Sequence, residues 1–125
     1  QFTSATVLRD GWIVVTWLDR PTTSQTNQAQ YRILNADGTA FTSEVIINFS
    51  QEKPGEKPNV AALSNGHFMI TYDDRRSDSR YLSLKKYDVF GGLVESSGVD
   101  DGDNPFGTVI SSFSDGSFNI IYNYA

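Results

Sequence analysis

Cysteine is absent from the 125 residues, which excludes a disulfide framework, thiol catalysis and cysteine-ligated zinc. The absence does not fix a compartment, because large surface repeat proteins often lack cysteine as well. Basic charge is scarce: ten Lys and Arg stand against fifteen Asp and Glu, a net charge of −5. Nucleic-acid affinity comes mainly from neutralising phosphates, so a nucleic-acid partner is not expected, and anionic membrane surfaces are disfavoured for the same reason. No apolar run approaches the length of a membrane span, so membrane insertion is not expected. No charged-then-apolar leader opens the sequence at Gln1, as expected of a mature product, a processed piece or a fragment. Histidine occurs once, as His67, with no serine or acid in a recognisable nucleophile motif around it, and the expectation there is a surface or packing residue. A sustained helical period is also missing. What remains is 38% hydrophobic, 13% aromatic and 20% charged, too apolar for disorder and long enough for one domain with a core.

An internal repeat organises this material. Residues 11–20, Gly-Trp-Ile-Val-Val-Thr-Trp-Leu-Asp-Arg, align without a gap on residues 66–75, Gly-His-Phe-Met-Ile-Thr-Tyr-Asp-Asp-Arg, at an offset of 55. Upstream, Leu8 meets Leu63 and Asp10 meets Asn65. A third copy, residues 114–122, follows at an offset of 50 and keeps the aromatic as Tyr122 but not the Asp-Arg pair. A looser second unit runs between these copies: residues 32–41 align on residues 85–94, and Gly38 meets Gly91. The order is therefore A, B, A, B, A, with repeat 1 at about 3–57, repeat 2 at about 58–104 and a half repeat at 105–125.

Each unit carries hairpin chemistry. Asp10-Gly11, Asp37-Gly38, Asn65-Gly66 and Asp115-Gly116 tolerate the positive φ of tight β-turns. Alternation follows the A-type turns, with a mixed face of Trp12, Val14 and Thr16, of His67, Met69 and Thr71, and of Ser117, Asn119 and Ile121. Ile13, Val15 and Trp17 share the opposite face, as do Phe68, Ile70 and Tyr72, and then Phe118, Ile120 and Tyr122. That face is large and apolar throughout and is expected to be the buried one. The expected fold is all-β, made of antiparallel hairpin repeats. Four strands in about fifty residues is the size of one propeller blade, so the chain would hold two and a half four-stranded propeller-like blades, with a β-sandwich as the alternative.

The unit at residues 58–72, Pro-Asn-Val-Ala-Ala-Leu-Ser-Asn-Gly-His-Phe-Met-Ile-Thr-Tyr, resembles the tandem repeats of about fifty residues in very large secreted or surface proteins, including bacterial RTX-type adhesins and some ciliate proteins. The resemblance covers nearly the whole chain. It rests on proline, a small apolar strand, Asp/Asn-Gly, and an aromatic-rich strand. The usual closing tryptophan is kept at Trp17 and replaced by Tyr72 and Tyr122, and the Asp-Arg dipeptides depart from the pattern. The resemblance implies an extracellular or cell-surface repeat array and carries over no catalytic residue.

Several residues stand out beyond this grammar. Asp19-Arg20 and Asp74-Arg75 set an acid and a base at the same end of equivalent strands. They could form a polar ligand rim, with Arg donating a fork and Asp accepting sugar hydroxyls, or tie the strand end to its own loop. Trp12, the aromatic least committed to the core, could stack on a sugar. Asp100, Asp101 and Asp103 could offer calcium its oxygens, or form a solvated turn. Asn48-Phe49-Ser50 is a glycosylation sequon. The cations Arg75, Arg76, Arg80, Lys85 and Lys86 are expected to solvate a loop and a strand face. No cofactor is expected apart from that calcium. The functional expectation is a non-catalytic extracellular module for adhesion or structural assembly, partnered by itself as a homo-oligomer or longer array. A lectin-like glycan-binding module is the alternative, and a propeller-type glycosidase the third.

Overall fold

In the computed structural model, residues 4–8, 11–20, 27–49, 52–55, 58–75, 81–88, 90, 92–99, 105–112 and 118–124 are described, with residues 99, 105–112 and 118–124 as strand backbone. The protein is all-β and antiparallel. β1 (Ser4–Val7), β2 (Ile13–Asp19), β3 (Gln28–Leu34) and β4 (Val45–Ile46) form a first four-stranded sheet in that order. β5 (Asn59–Ala62), β6 (Phe68–Asp74), β7 (Tyr81–Tyr87) and β8 (Leu93–Val99) form a second. β9 (Pro105–Ser112) and β10 (Phe118–Tyr124) pair as a third, two-stranded sheet.

The turns follow from the sequence chemistry. Leu63 N donates to His67 O at 2.8 Å and Gly66 N to Leu63 O at 3.2 Å, and Gly66 takes φ of 87°. A side chain at such a φ is strained, which is why glycine stands there. Asn65 Oδ1 accepts from His67 N at 3.1 Å and closes the turn. Leu8, Gly11 and Trp12, and likewise Asn35, Gly38 and Thr39, repeat the same pair of backbone bonds.

The sheets stack in chain order. β1 lies against β5, and β5 against β9. First strand therefore meets first strand, as in neighbouring propeller blades. Val14, Ala29, Tyr31 and Ile33 of the first sheet face Val60, Phe68, Ile70, Tyr72 and Tyr87 of the second, and Leu8 and Ile47 seal the margins. Burying each such side chain stabilises by roughly 1.5–3 kcal/mol. At the centre, Tyr31 meets Phe68 edge-on at 5.3 Å and Tyr87 at 4.9 Å, while Phe68 and Tyr87 stack at 5.3 Å. Burial, with Asp88 nearby, pushes the Tyr31 hydroxyl up to about 12.

The stack corrects the expected buried face. In β6 the expectation holds: Phe68, Ile70 and Tyr72 are buried. In β2 the expected face is buried only at Val15, with Ile13 and Trp17 half-buried, while Val14 and Thr16 on the other face are fully buried toward the second sheet. The physical reason is stacking of like sheets. The front of one sheet covers the back of the next, so an inner sheet buries both faces. Met69, Thr71, Leu82 and Leu84, on the opposite side of the second sheet, are buried as well, where β9 packs. Among the described strands, none packs on the back of the first sheet.

Candidate functional site

The strand ends bearing the Asp-Arg pairs are placed differently in the two repeats. Asp74 is fully buried and its Oδ1 accepts from Lys53 N at 2.8 Å. Arg75 N donates to Lys53 O at 2.9 Å, Gly55 N donates to Asp73 O at 3.2 Å, and Arg75 Nε pairs with Asp73 Oδ2 at 2.8 Å. The Arg75 side chain lies so close to Gly55 that a Cβ there would overlap it. This corner therefore grips residues 53–55 of the linker between the sheets. Asp19 and Arg20, at the equivalent end of β2, are exposed. Trp12 stacks on Phe41 at 4.6 Å, meets Phe90 tilted at 6.4 Å, and packs against the core margin.

Next to that corner the linker inserts a buried charge. Glu52 and Lys85 side chains are each 2% exposed. Glu52 Oε1 accepts from Lys85 Nζ at 3.0 Å and from Phe49 N at 2.7 Å. Its Oε2 accepts from Tyr72 Oη at 2.9 Å and Ser83 Oγ at 2.7 Å. Lys85 Nζ also donates to Ser96 Oγ at 3.1 Å and sits 3.4 Å from the Phe49 ring centroid, a cation–π contact. Burial pushes the Glu52 carboxyl up, but the Phe49 N–H, Ser83, Lys85 and Tyr72 outweigh it and hold it below its ordinary value. Burial and the Glu52 charge raise the Tyr72 hydroxyl. Lys85 thus departs from the expected solvated cation: it is the buried counter-ion of the linker. Lys86, its neighbour, does face outward, to Glu95 at 3.3 Å. Beside the network opens a cleft of about 450 Å³, lined by Phe49, Tyr81, Ser83, Lys85, Ser96 and Gly98 among others.

The third feature is the back of the first sheet, on which no described strand packs. The pairing registers put Ala5, Val7, Ile13, Val15, Trp17, Gln30, Arg32, Leu34 and Ile46 on it. Val7 on β1 is 63% and Ile46 on β4 53% exposed, while Val15 and Gln30 between them are buried. The same registers make this face the counterpart of the covered back of the second sheet. Val15 pairs Ala5 and Arg32, as Ile70 pairs Val60 and Lys85.

Asn48 Oδ1 accepts from Ala29 N at 2.9 Å at the sheet margin, and Ser50 of its sequon lies outside the described residues. Asp100, Asp101 and Asp103 also lie outside them, as do Arg76 and Arg80. Among the described residues no group of three or more acidic or histidine side chains is placed to hold a metal ion, and no helix is long and apolar enough to cross a membrane. No protein-family model, curated protein or solved structure matches the chain.

Proposed function

We propose that this chain is a non-catalytic repeat module of an extracellular or cell-surface structure, working by sheet-on-sheet stacking for adhesion or assembly. One observation carries the reading: the back of the first sheet, on which no described strand packs, is the counterpart of a face that the chain itself covers in its second sheet. A surface built to receive a like sheet invites another repeat of the same kind. Such a front-to-back contact is heterologous, so it generates rings or open filaments rather than a closed two-fold pair.

The expected result is a solution mass that rises with concentration in light scattering. Val7→Glu combined with Ile46→Glu replaces two exposed side chains. It should leave the melting curve nearly unchanged and weaken association at least tenfold, by roughly 1.4 kcal/mol or more. A wild-type mass that stays monomeric throughout would overturn the reading.

The cleft beside Lys85 favours a second reading, a glycan-binding module. It combines two aromatic rings, Phe49 and Tyr81, with the hydroxyls of Ser83 and Ser96, the mixture of stacking face and hydrogen-bonding groups that a small polar ligand needs. Binding on a glycan array that is lost in Tyr81→Ala would support it. Absence of binding to every glycan would remove it.

A further inference from the structure

The two four-stranded sheets end differently at their outer strand. In the first sheet the fourth strand, β4, spans only Val45–Ile46, and loop groups take up the rest of the β3 edge. Ile33 N donates to Thr42 Oγ1 at 3.0 Å, Ala29 N donates to Asn48 Oδ1 at 2.9 Å, and Ile33 O accepts from Phe41 N and Thr42 N. A short outer strand flanked by such contacts blunts a sheet edge. In the second sheet the same position holds β8, a seven-residue strand whose inner side pairs with β7. Among the described strands, none pairs with its outer side. Residues 92–98 are all exposed, Leu93 by 47% and Val94 by 52%.

An antiparallel strand turns alternate backbone N–H and C=O groups away from its neighbour, so an outermost strand presents a row of them outward. The β7–β8 register shifts between Lys86 and Tyr87, whereas Leu82 to Lys86 pair with Val99 to Glu95 without a break. The regular part of β8 is therefore Glu95 to Val99. It contains no proline and one charge, Glu95, whose carboxylate meets Lys86 at 3.3 Å. Its centre, Ser96-Ser97-Gly98, is small and lets a second backbone approach closely. The run is also self-complementary when antiparallel. A two-fold axis at Ser97 sets Ser97 opposite Ser97, Ser96 opposite Gly98 and Glu95 opposite Val99. The two Glu95 residues then stand at opposite ends of the joint. Parallel pairing in register would instead set Glu95 beside Glu95, and adjacent like charges destabilise a sheet.

We propose that β8 is a second interaction surface, and that its partner is β8 of a second copy of this chain, paired antiparallel about Ser97. The inference goes beyond front-to-back stacking and uses a different part of the molecule, the edge of the second sheet rather than the back of the first. The contact is isologous, so it closes as a two-fold pair. It joins the second sheets of two copies into one continuous sheet. Stacking extends an array in one direction, and edge pairing ties two arrays side by side.

The test uses the full chain. Cysteine is absent, so one introduced cysteine reports one pairing. Ser97→Cys sets two thiols across the axis, where directly opposite Cβ atoms lie about 4.5–5.5 Å apart, near the reach of a disulfide. Mild oxidation should cross-link Ser97→Cys into a dimer roughly tenfold faster than Glu95→Cys, whose thiols stand at opposite ends of the joint. Equal rates would overturn the pairing. In sedimentation velocity, Val7→Glu/Ile46→Glu, which disables stacking, should leave a dimer as its largest species. Adding Ser97→Lys, which sets two like charges on the axis, should weaken that dimer about tenfold without lowering the melting temperature. A Val7→Glu/Ile46→Glu chain that is monomeric throughout, beside a wild type that grows, would overturn edge pairing and leave stacking intact. A wild type that stops at a dimer, lost in Ser97→Lys, would support edge pairing and contradict stacking. A wild type that stays monomeric would overturn both.

Discussion

Replacing Lys85 with methionine is expected to destabilise the fold by about 3–5 kcal/mol, the loss that follows when one partner of a buried ion pair is removed. The pair is closed off from solvent on both sides, with Glu52 and Lys85 each 2% exposed. Methionine fills the channel of the lysine stem but leaves the Glu52 carboxylate buried without its cation. The contrast with the next residue is the control. Lys86 meets a 62% exposed Glu95 side chain, and Lys86→Ala should cost no more than about 1 kcal/mol, as surface pairs do. The double variant Glu52→Gln/Lys85→Met should cost much less than the sum of its single changes, because each single change strands the other group. Urea denaturation of wild type, Lys85→Met, Glu52→Gln, the double variant and Lys86→Ala reads this directly.

The same network sets an acid limit. Glu52 is held below its ordinary value in the folded chain. A carboxyl depressed by folding contributes its stability at pH above the unfolded value. That contribution is lost as pH falls through the folded value. Wild type should therefore lose stability on acidification below the ordinary carboxylate range, and the double variant should lose less.

Phe68→Ala is the second large effect, about 3–5 kcal/mol for an aromatic deleted from a packed core. Phe68 is fully buried and touches Tyr31 across the sheet interface as well as Tyr87 within its own sheet. The cavity falls where the two sheets are joined, so the first sheet should lose amide protection before the second in hydrogen exchange. Ile13→Ala, at the equivalent position on the bare face, should cost much less, since Ile13 is only half-buried and leaves a dent rather than a cavity. A similar cost for both changes would contradict the assignment of inner and outer faces.

The hairpins were legible in the sequence because turn chemistry and alternation are local. Asn65-Gly66 announces its turn, and the run from Phe68 to Tyr72 announces its strand. Which face of β2 is covered was not legible. A period of two separates Val14 from Val15 but cannot say which side a neighbouring sheet will occupy, and in a stack both sides of an inner sheet are core. The ion pair was partly legible. Tyr81, Ser83, Lys85 and Tyr87 alternate on one face of β7, and a lysine among aromatics on an inward face is a signal that a run of nearby cations obscures. Glu52 gave no signal at all: it sits in a polar linker just ahead of Lys53-Pro54, and only the fold brings it to Lys85, 33 residues away. The Asp-Arg repeat was visible as a pattern. Its task at Asp74-Arg75, holding residues 53–55, depends on the path of the linker, which no local rule gives.

The most direct test of the account is a methyl-resolved NMR titration of the chain against its own concentration. The bare back of the first sheet is predicted to respond as a patch: Val7, Ile13, Val15 and Ile46 should shift together as concentration rises, while Val14, Ile33 and Ile70, enclosed between the first two sheets, stay fixed. Shifts confined to another surface, such as Leu93 and Val94 at the exposed β8 edge, would contradict front-to-back stacking, and so would no shift at any concentration.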